Sequence, residues 1–302
     1  MNNKKRNVII IGAGKIAHSI VPALQKSGFN ITSVISRKPD SAKMLADKFG
    51  IKYFSDNLQD FHAQTGIVFL CVPDTEIKIT AKRLSKLNIN FSKFIFVHLS
   101  GALDISFLDS LKKKNGLTAS LHIMQTFPSK KCVPVKGCYA AVETNSSAVE
   151  KVLFDLAKSI LLKPFALKSS AKALYHIAGV FASNFLVGNL FDAETAFKKT
   201  GNNDTDFIEL IYPIVFSTLA NIKKAGTANA LSGPVERGDI DTIKKHLAVL
   251  KNIASKTKNN SLLLNYITQS LNLLAVADKK HVTKNKEAKK IKELLQKELN
   301  KL

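Results

Sequence analysis

The sequence has 302 residues, 45% of them hydrophobic, which predicts two domains that each bury a core. Its formal net charge is +22, but lysine accounts for all except four of the 45 basic residues, and the lysines are scattered along the chain. Nucleic-acid-binding proteins concentrate basic residues on one face or stripe, so this pattern argues against nucleic acid as the partner. It favours a solvated surface whose positive field attracts anionic ligands.

We expect a cytoplasmic protein with no disulfide scaffold and no membrane span. The three cysteines are widely spaced, which does not suggest a disulfide framework. The apolar run near the N-terminus stops at Gly12, too early for a signal peptide. A second apolar run, 174–191, contains His176, Ser183 and Asn184, so we interpret it as a buried helix rather than a membrane span.

Strand and helix patterns alternate through the N-terminal half. Short apolar runs predict strands buried on both faces, and apolar residues at helical spacing follow most of them. The predicted strands are 7–11, 31–35, 67–72, 94–98, 117–121 and 139–143, and the predicted helices are 14–27, 41–49, 76–87, 105–114 and 147–161. This alternation predicts an α/β fold, a Rossmann domain with a doubly wound parallel sheet over residues 1–165.

Only helical patterns follow from about Ser169. The predicted helices are 171–191, 205–225, 239–255 and 261–277, and the Lys/Glu-rich tail 284–302 predicts an exposed or partner-packed helix. We therefore expect an all-helical substrate and dimerisation domain over residues 166–302. Its long apolar helices offer more apolar surface than a domain of this size buries alone, which predicts a homodimer.

The first strand leads directly into a glycine-rich turn. Residues 12–17 follow the pattern G-x-G-x-x-G/A, which binds a pyrophosphate where a strand passes into a helix. Gly12 allows the tight turn, Gly14 lets the backbone approach the phosphates, and Ala17 keeps the helix close to the strand. We predict that the cofactor contacts Gly12, Ala13, Gly14, Lys15, Ile16 and Ala17.

The end of the second strand predicts which cofactor is bound. An NAD enzyme usually places an acidic residue there to bind the ribose hydroxyl groups. This chain has Ser36, Arg37 and Lys38 instead, and no acid appears before Asp40. A hydroxyl and a guanidinium bind a 2′-phosphate that a carboxylate would repel, so the predicted cofactor is NADP. The alternative is a solvated Arg-Lys turn.

Three further segments, 71–74, 98–101 and 122–128, follow later strands, at the sheet edge where ligands of such folds lie. We expect Asp74 to be a helix N-cap. His122 is a candidate for contact with substrate or nicotinamide, or else a hydrogen-bonded structural residue. The predicted cofactor contacts in these segments are Cys71, Val72, Pro73, His98 and Ser100.

The helical half adds two polar sets. His176 and Ser183 share one face of helix 171–191, since seven residues make nearly two turns, and Asn184 flanks that face. The alternative for this set is tight helix packing. Arg237 lies in a Gly/Pro turn and is a candidate clamp for a substrate anion, while Asp239 is the predicted N-cap of the next helix.

Four motifs together resemble a bacterial family of Rossmann-like oxidoreductases whose second domain has no assigned function. The motifs are HLSGA at 98–102, HIMQTFP at 122–128, YHIAGVFASN at 175–184 and SGPVERGD at 232–239. Ile123 stands where the family usually has proline. The family is related to pyrroline-5-carboxylate reductase, ketopantoate reductase and the deazaflavin-dependent NADP oxidoreductases. The resemblance extends to about Asp278 and implies an NADP-binding domain, an all-helical second domain and a dimer.

The leading hypothesis is a reductase that transfers a hydride between NADP(H) and a small C=N or C=O substrate bound between the two domains. Ketopantoate reductase and its hydroxyacid dehydrogenase relatives carry Lys-x-x-x-Asn on the corresponding helix. Here the residue four positions before Asn184 is Val180 instead of lysine, which favours an imine as the substrate. The proposed proton donor is His122 or His176. The other proposed substrate contacts are Ser100, Asn184 and Arg237.

Two alternatives stay open. The absence of an unambiguous catalytic residue supports a non-catalytic NADP-binding sensor or interaction protein. Charge alone supports a weaker hypothesis, a protein associated with nucleic acid. No metal site is predicted from the sequence.

Overall fold

An eight-stranded sheet dominates the N-terminal part of the computed structural model, which describes residues 7–280 and 285–302. The strands are β1 (Asn7–Ile11), β2 (Asn30–Ile35), β3 (Tyr53–Ser55), β4 (Gly66–Leu70), β5 (Phe94–His98), β6 (Leu117–Ile123), β7 (Tyr139–Thr144) and β8 (Lys163–Ala166). Their order is β3-β2-β1-β4-β5-β6-β7-β8. The first residues of the chain and Lys284, at the start of the predicted tail helix, lie outside the described residues.

Helices cover both faces of the sheet. They are α1 (Ala17–Lys26), α2 (Pro39–Phe49), α3 (Asp74–Leu84), α4 (Asp109–Lys112) and α5 (Ser147–Ser159). Side chains alternate along each strand, so Val8 of β1 packs in the core with α1, α2 and α5, whereas Ile9 packs in the core with α3 and α4. The doubly wound Rossmann fold is thus confirmed.

The sheet departs from the prediction at its far edge. β6 and β7 are antiparallel, whereas the other neighbouring pairs are parallel. An antiparallel pair needs no crossover helix, and the connection 124–138 contains none. The sequence patterns also missed β3 and β8, which are short, half-exposed edge strands without a continuous apolar run.

The chain divides into two compact units, Met1–Leu186 and Val187–Leu302. The first unit therefore includes α6 (Lys172–Gly179) and a π-helical turn, Val180–Asn184. The sequence patterns placed the boundary near residue 165, where the strand patterns end. In the structure, buried hydrogen bonds tie the start of α6 to the sheet.

The second unit contains only helices over the residues described. They are α7 (Phe185–Lys198), which begins just before it, α8 (Phe207–Ala230), α9 (Pro234–Arg237), α10 (Ile240–Thr257), α11 (Ser261–Lys279) and α12 (Asn285–Leu299). The exposed or partner-packed tail helix is a wrong expectation, since Ile291 and Leu295 of α12 are fully buried with Ile243 and Ile267. Ile291 and Leu295 are four positions apart and share one face of the helix.

The apolar helix after residue 169 is not buried in this chain, contrary to expectation. The helix Ser169–Lys198 is long and apolar enough to cross a membrane by length and composition alone. Phe181 and Phe191 are more than half exposed, and α8 likewise exposes Ile214 and Phe216. An apolar helix pattern predicts that the helix is buried, but it does not distinguish burial within the same chain from burial against another molecule.

Candidate cofactor and substrate sites

The glycine-rich turn packs against the end of β4. Gly12 has a φ of +99°, and a Cβ there would lie 2.6 Å from the carbonyl oxygen of Cys71. A Cβ on Gly14 would lie 3.0 Å from the same oxygen. The backbone N–H of Gly12 donates to the carbonyl oxygen of Ile35 at 2.7 Å, which ties the turn to β2. Only glycine fits at position 12, because the positive φ and the contact with Cys71 both exclude a side chain.

A cavity of about 380 Å³ lies beside this turn. The predicted cofactor-binding residues in its wall are Gly12, Ala13, Gly14, Ser36, Arg37, Lys38, Cys71, Val72 and Pro73. The remaining ones, Lys15, Ile16, Ala17, His98 and Ser100, lie outside this wall. The structure therefore brings together the turn and the carboxyl ends of β2 and β4, as parallel strands require.

Charged side chains line the same cavity. Arg37 forms an ion pair with Glu76 of α3, with 3.1 Å between Nη1 and Oε2. Arg83 and Lys130 also line the cavity, and no sequence pattern predicted either of them as a cofactor contact. Glu76 and Arg83 are seven residues apart, nearly two turns, so they share one face of α3, and helical spacing could have identified Arg83.

Ser100 and Asp74 form a hydrogen bond at the ends of β4 and β5. The Ser100 hydroxyl donates to Asp74 Oδ2 at 2.7 Å and accepts from the backbone N–H of Leu103 at 3.0 Å. The expectation that Asp74 caps α3 is wrong: Pro73 occupies the N-cap position, and no side chain caps this helix. The carboxylate of Asp74 instead holds the loop that follows β5.

The hydrogen bonds of the His98 ring, which are to backbone atoms, indicate a structural role. It is fully buried, its Nδ1 accepts from the backbone N–H of Ser100 at 3.3 Å, and its Nε2 lies 3.2 Å from the carbonyl oxygen of Asp104. Burial lowers the pKa of His98 to about 4, and the positive charge of Lys172 adds to this effect. The ring is therefore neutral near pH 7 and both of its nitrogens have partners.

A second cavity, of about 290 Å³, lies within the first unit. Its wall combines the end of β6 with α6 and the π-helical turn: His122, Met124, Gln125, Thr126, His176, Gly179, Val180, Ala182, Ser183 and Asn184. A Cβ on Gly179 would lie 3.1 Å from Met124 Sδ, so glycine allows the helix to approach the loop closely. Three of the predicted substrate contacts, His122, His176 and Asn184, thus share one cavity.

His122 is held by Tyr175, which no sequence pattern predicted as a site residue. Its Nδ1 lies 2.9 Å from the hydroxyl oxygen of Tyr175, and its ring centroid lies 6.5 Å from that of His176. Burial lowers the pKa of His122 to about 4, with further contributions from the charges of Lys172 and His176. Burial also raises the pKa of Tyr175 to about 12. Both groups are neutral near pH 7 and act as hydrogen-bonding groups.

A buried ion pair lies behind this cavity. Lys172 Nζ is 2.7 Å from Glu143 Oε2 and also donates to the Ser120 hydroxyl. Glu143 Oε1 accepts from Ser169 at 2.6 Å and from the backbone N–H of Ile105 at 3.1 Å. Burial lowers the pKa of Lys172. Burial acts to raise the pKa of Glu143, but these hydrogen bonds outweigh it and lower that pKa. The pair joins α6 to β7.

Arg237 belongs to the second unit, at the end of α9. Asp239 follows it and caps α10 by accepting from the backbone N–H of Thr242 at 3.0 Å, which confirms the predicted N-cap. A role for Arg237 as an anion clamp stays a prediction. Among the described residues, no group of three or more His, Cys, Asp or Glu side chains could hold a metal ion.

The sheet order and the glycine-rich turn define a Rossmann-like NADP oxidoreductase fold. Residues 7–91 match the family described as coenzyme F420-dependent NADP oxidoreductase, and residues 138–271 match a domain of unknown function, DUF2520. The resemblance identified from the four motifs is therefore confirmed. No curated protein matches this sequence.

Solved structures share the fold along most of the chain. Protein TM1727 from Thermotoga maritima is 26% identical, with a TM-score of 0.68, and the match covers 91% of this chain and 99% of that one. BF3122 from Bacteroides fragilis, provisionally described as an NADP oxidoreductase, is 23% identical with a TM-score of 0.68, over 84% and 94% of the two chains. A reductive aminase from Aspergillus terreus, in complex with NADPH and ethyl-5-oxohexanoate, is 13% identical with a TM-score of 0.56, over 99% and 95%.

The lowered pKa of His122 leads to a prediction about pH. Between the ordinary histidine pKa of 6.5 and the folded value of about 4, the unfolded chain takes up a proton that folded His122 does not. His122 therefore contributes stability that is present above pH 6.5 and is lost as the pH falls towards 4. We expect the His122 ring resonances in NMR spectra to keep their neutral positions down to about pH 5.

Urea unfolding provides the second measurement. His122→Gln should lose less stability than the wild type between pH 6.5 and 4, because the variant lacks the titrating ring. His62→Gln, at an exposed histidine, is the matched control and should follow the wild-type profile. A His122 ring that is already protonated at pH 6 would contradict the assignment.

Proposed function

We propose that the protein is an NADP(H)-dependent reductase that transfers a hydride to or from a small C=N or C=O substrate. The observation that carries the proposal is that Ser36, Arg37 and Lys38 line the cavity beside the glycine-rich turn, where an NAD enzyme has an acid. The match of residues 7–91 to NADP oxidoreductases supports the same cofactor class.

The residues of the first cavity fit a dinucleotide phosphate. Gly12, Ala13 and Gly14 line this cavity just before the start of α1, where turns of this kind bind a pyrophosphate, and side chains at Gly12 and Gly14 would press against the Cys71 carbonyl oxygen. Ser36 and Arg37 offer a hydroxyl and a guanidinium to a 2′-phosphate. When bound, NADP(H) supplies the hydride.

The second cavity is the proposed substrate site. His122 is neutral and hydrogen-bonded to Tyr175, so we assign it to orienting the substrate and assign the proton-donor role to His176. Asn184 offers an amide to the same space. Ser100 is bonded to Asp74 and does not line this cavity, so we propose that it positions the loop after β5.

The residues that line the second cavity favour an imine as the substrate class. Among the residues that the structure describes, no lysine lines the cavity. An iminium needs less help from a side-chain acid than a ketone because it is already activated. The reductive aminase with NADPH is consistent with that chemistry in this fold. We retain Arg237, from the second unit, as the proposed clamp for an anionic substrate group.

The first test concerns the choice of cofactor. Fluorescence titration should show tighter binding of NADPH than of NADH. Arg37→Ala should weaken NADPH binding by about 1–3 kcal/mol, the range for a charge-assisted hydrogen bond, and leave NADH nearly unchanged. Arg37→Lys keeps the charge and should retain part of the preference. Equal affinity of the wild type for both cofactors would refute NADP specificity.

The second test concerns turnover. NADPH oxidation should be measured with a panel of cyclic imines and ketones, with and without a carboxylate. His176→Ala, Asn184→Ala and Arg237→Ala should abolish turnover and leave NADPH affinity within a few-fold, because none of them lines the cofactor cavity. His62→Ala is the control outside both cavities. NADPH binding without turnover of any substrate would favour the alternative, a non-catalytic NADP-binding sensor.

We also propose that the protein is a cytoplasmic homodimer whose second copy covers the exposed apolar helices. Light scattering should give twice the chain mass of 33.1 kDa. Phe216→Lys and Phe181→Lys place a charge on the exposed apolar surface and should shift the mass towards the monomer. Met44→Lys, at an exposed position on α2, is the control and should leave the dimer intact. A monomer that binds lipid vesicles would contradict the proposal.

A further inference from the structure

The loop 124–138, which joins β6 to β7, reaches from one cavity to the other. Met124, Gln125 and Thr126 line the substrate cavity, and Lys130 lines the cofactor cavity. The loop is fixed midway because the backbone N–H of Val133 donates to the buried Ser19 hydroxyl of α1 at 2.9 Å. Lys130, which follows β6, thus lines the same cavity as the glycine-rich turn, although β4 and β5 separate β6 from β1 in the sheet.

Lys130 lies at the end of the cavity where cofactor choice is made. Its Nζ donates to the Ser41 hydroxyl at 3.3 Å. Ser41 is in the first turn of α2, and its backbone N–H donates to the carbonyl oxygen of Lys38 at 3.0 Å. The ammonium group is therefore next to the residues at the end of β2 that would meet a 2′-phosphate.

The charges in this wall distinguish Lys130 from Arg37. Arg37 is already paired with the Glu76 carboxylate. Lys130 forms no ion pair with any residue that the structure describes, and its hydrogen-bond acceptor is a neutral hydroxyl. A cation whose charge is not neutralised by a carboxylate attracts a phosphate more strongly than one that must first leave a carboxylate.

We propose that Lys130 binds the 2′-phosphate of the cofactor and is a second determinant of the preference for NADP(H), supplied by the loop after β6. The inference rests on the proposed NADP(H) function. Ser36 and Arg37 at the end of β2 would supply a hydroxyl and a guanidinium to the 2′-phosphate. Lys130 adds an ammonium group from a separate part of the chain.

The test is calorimetric titration of NADP⁺ and NAD⁺ into the full chain. Lys130→Gln should weaken NADP⁺ binding about tenfold, as expected for one charge-assisted contact, and change NAD⁺ binding by less than about twofold. Lys131→Gln is the matched control, since Lys131 is the exposed neighbour and lies outside the cavity wall. Lys130 is itself exposed, so neither substitution removes core packing.

Adenosine 2′,5′-bisphosphate and AMP, used as probes, restrict the comparison to the adenosine end. Lys130→Gln should weaken only the bisphosphate. Equal weakening of both probes, or the same affinities for the Lys130→Gln and Lys131→Gln variants, would overturn the assignment of Lys130. If the wild type prefers NAD⁺ or binds neither dinucleotide, the proposed NADP(H) function fails as well, and the two failures are therefore distinguishable.

Discussion

The buried ion pair between Lys172 and Glu143 fixes the helix on which the candidate substrate site depends. Both side chains are almost inaccessible to water, and removing two charges from water costs several kcal/mol per ion. That cost is offset only because Ser120, Ser169 and the backbone of Ile105 complete the hydrogen bonds of the pair. A rotation or slide of α6 would leave a buried charge without its partner, so the helix has one favourable position on the sheet.

The positive charge of Lys172 also affects two histidine rings, His98 and His122. The charge of Lys172 adds to burial in lowering the pKa of His98 and of His122, so neither ring carries a charge near pH 7. Tyr175, one turn after Lys172 on α6, meets His122 across the cavity wall. The His122 ring is therefore held in one orientation at the cavity wall, as a preorganised hydrogen-bonding group would be.

The sequence predicted the sheet and the cofactor cavity because a buried parallel strand and a glycine-rich turn each have a recognisable pattern only a few residues long. The anchor could not be predicted in this way. Glu143 and Lys172 are 29 positions apart, and no pattern in the residues around either one indicates that the two side chains form a pair. The same limit explains Asp74: its position suits an N-cap, and only the fold brings the Ser100 hydroxyl within reach. Lys130 lies in a loop without any periodic pattern and is placed by its bond to Ser41.

The helix Ser169–Lys198 joins three properties in one element. Its start is held by the ion pair, its π-helical turn Val180–Asn184 lines the candidate substrate cavity, and its later part exposes apolar side chains. A π-helical turn replaces the usual i→i+4 hydrogen bonds and often marks a functional position, since it redirects the side chains that follow. Because the turn separates a fixed end from an apolar end, whatever covers the apolar end acts on the same helix that presents Asn184. In the proposed homodimer, this helix would therefore link assembly to the geometry of the candidate site.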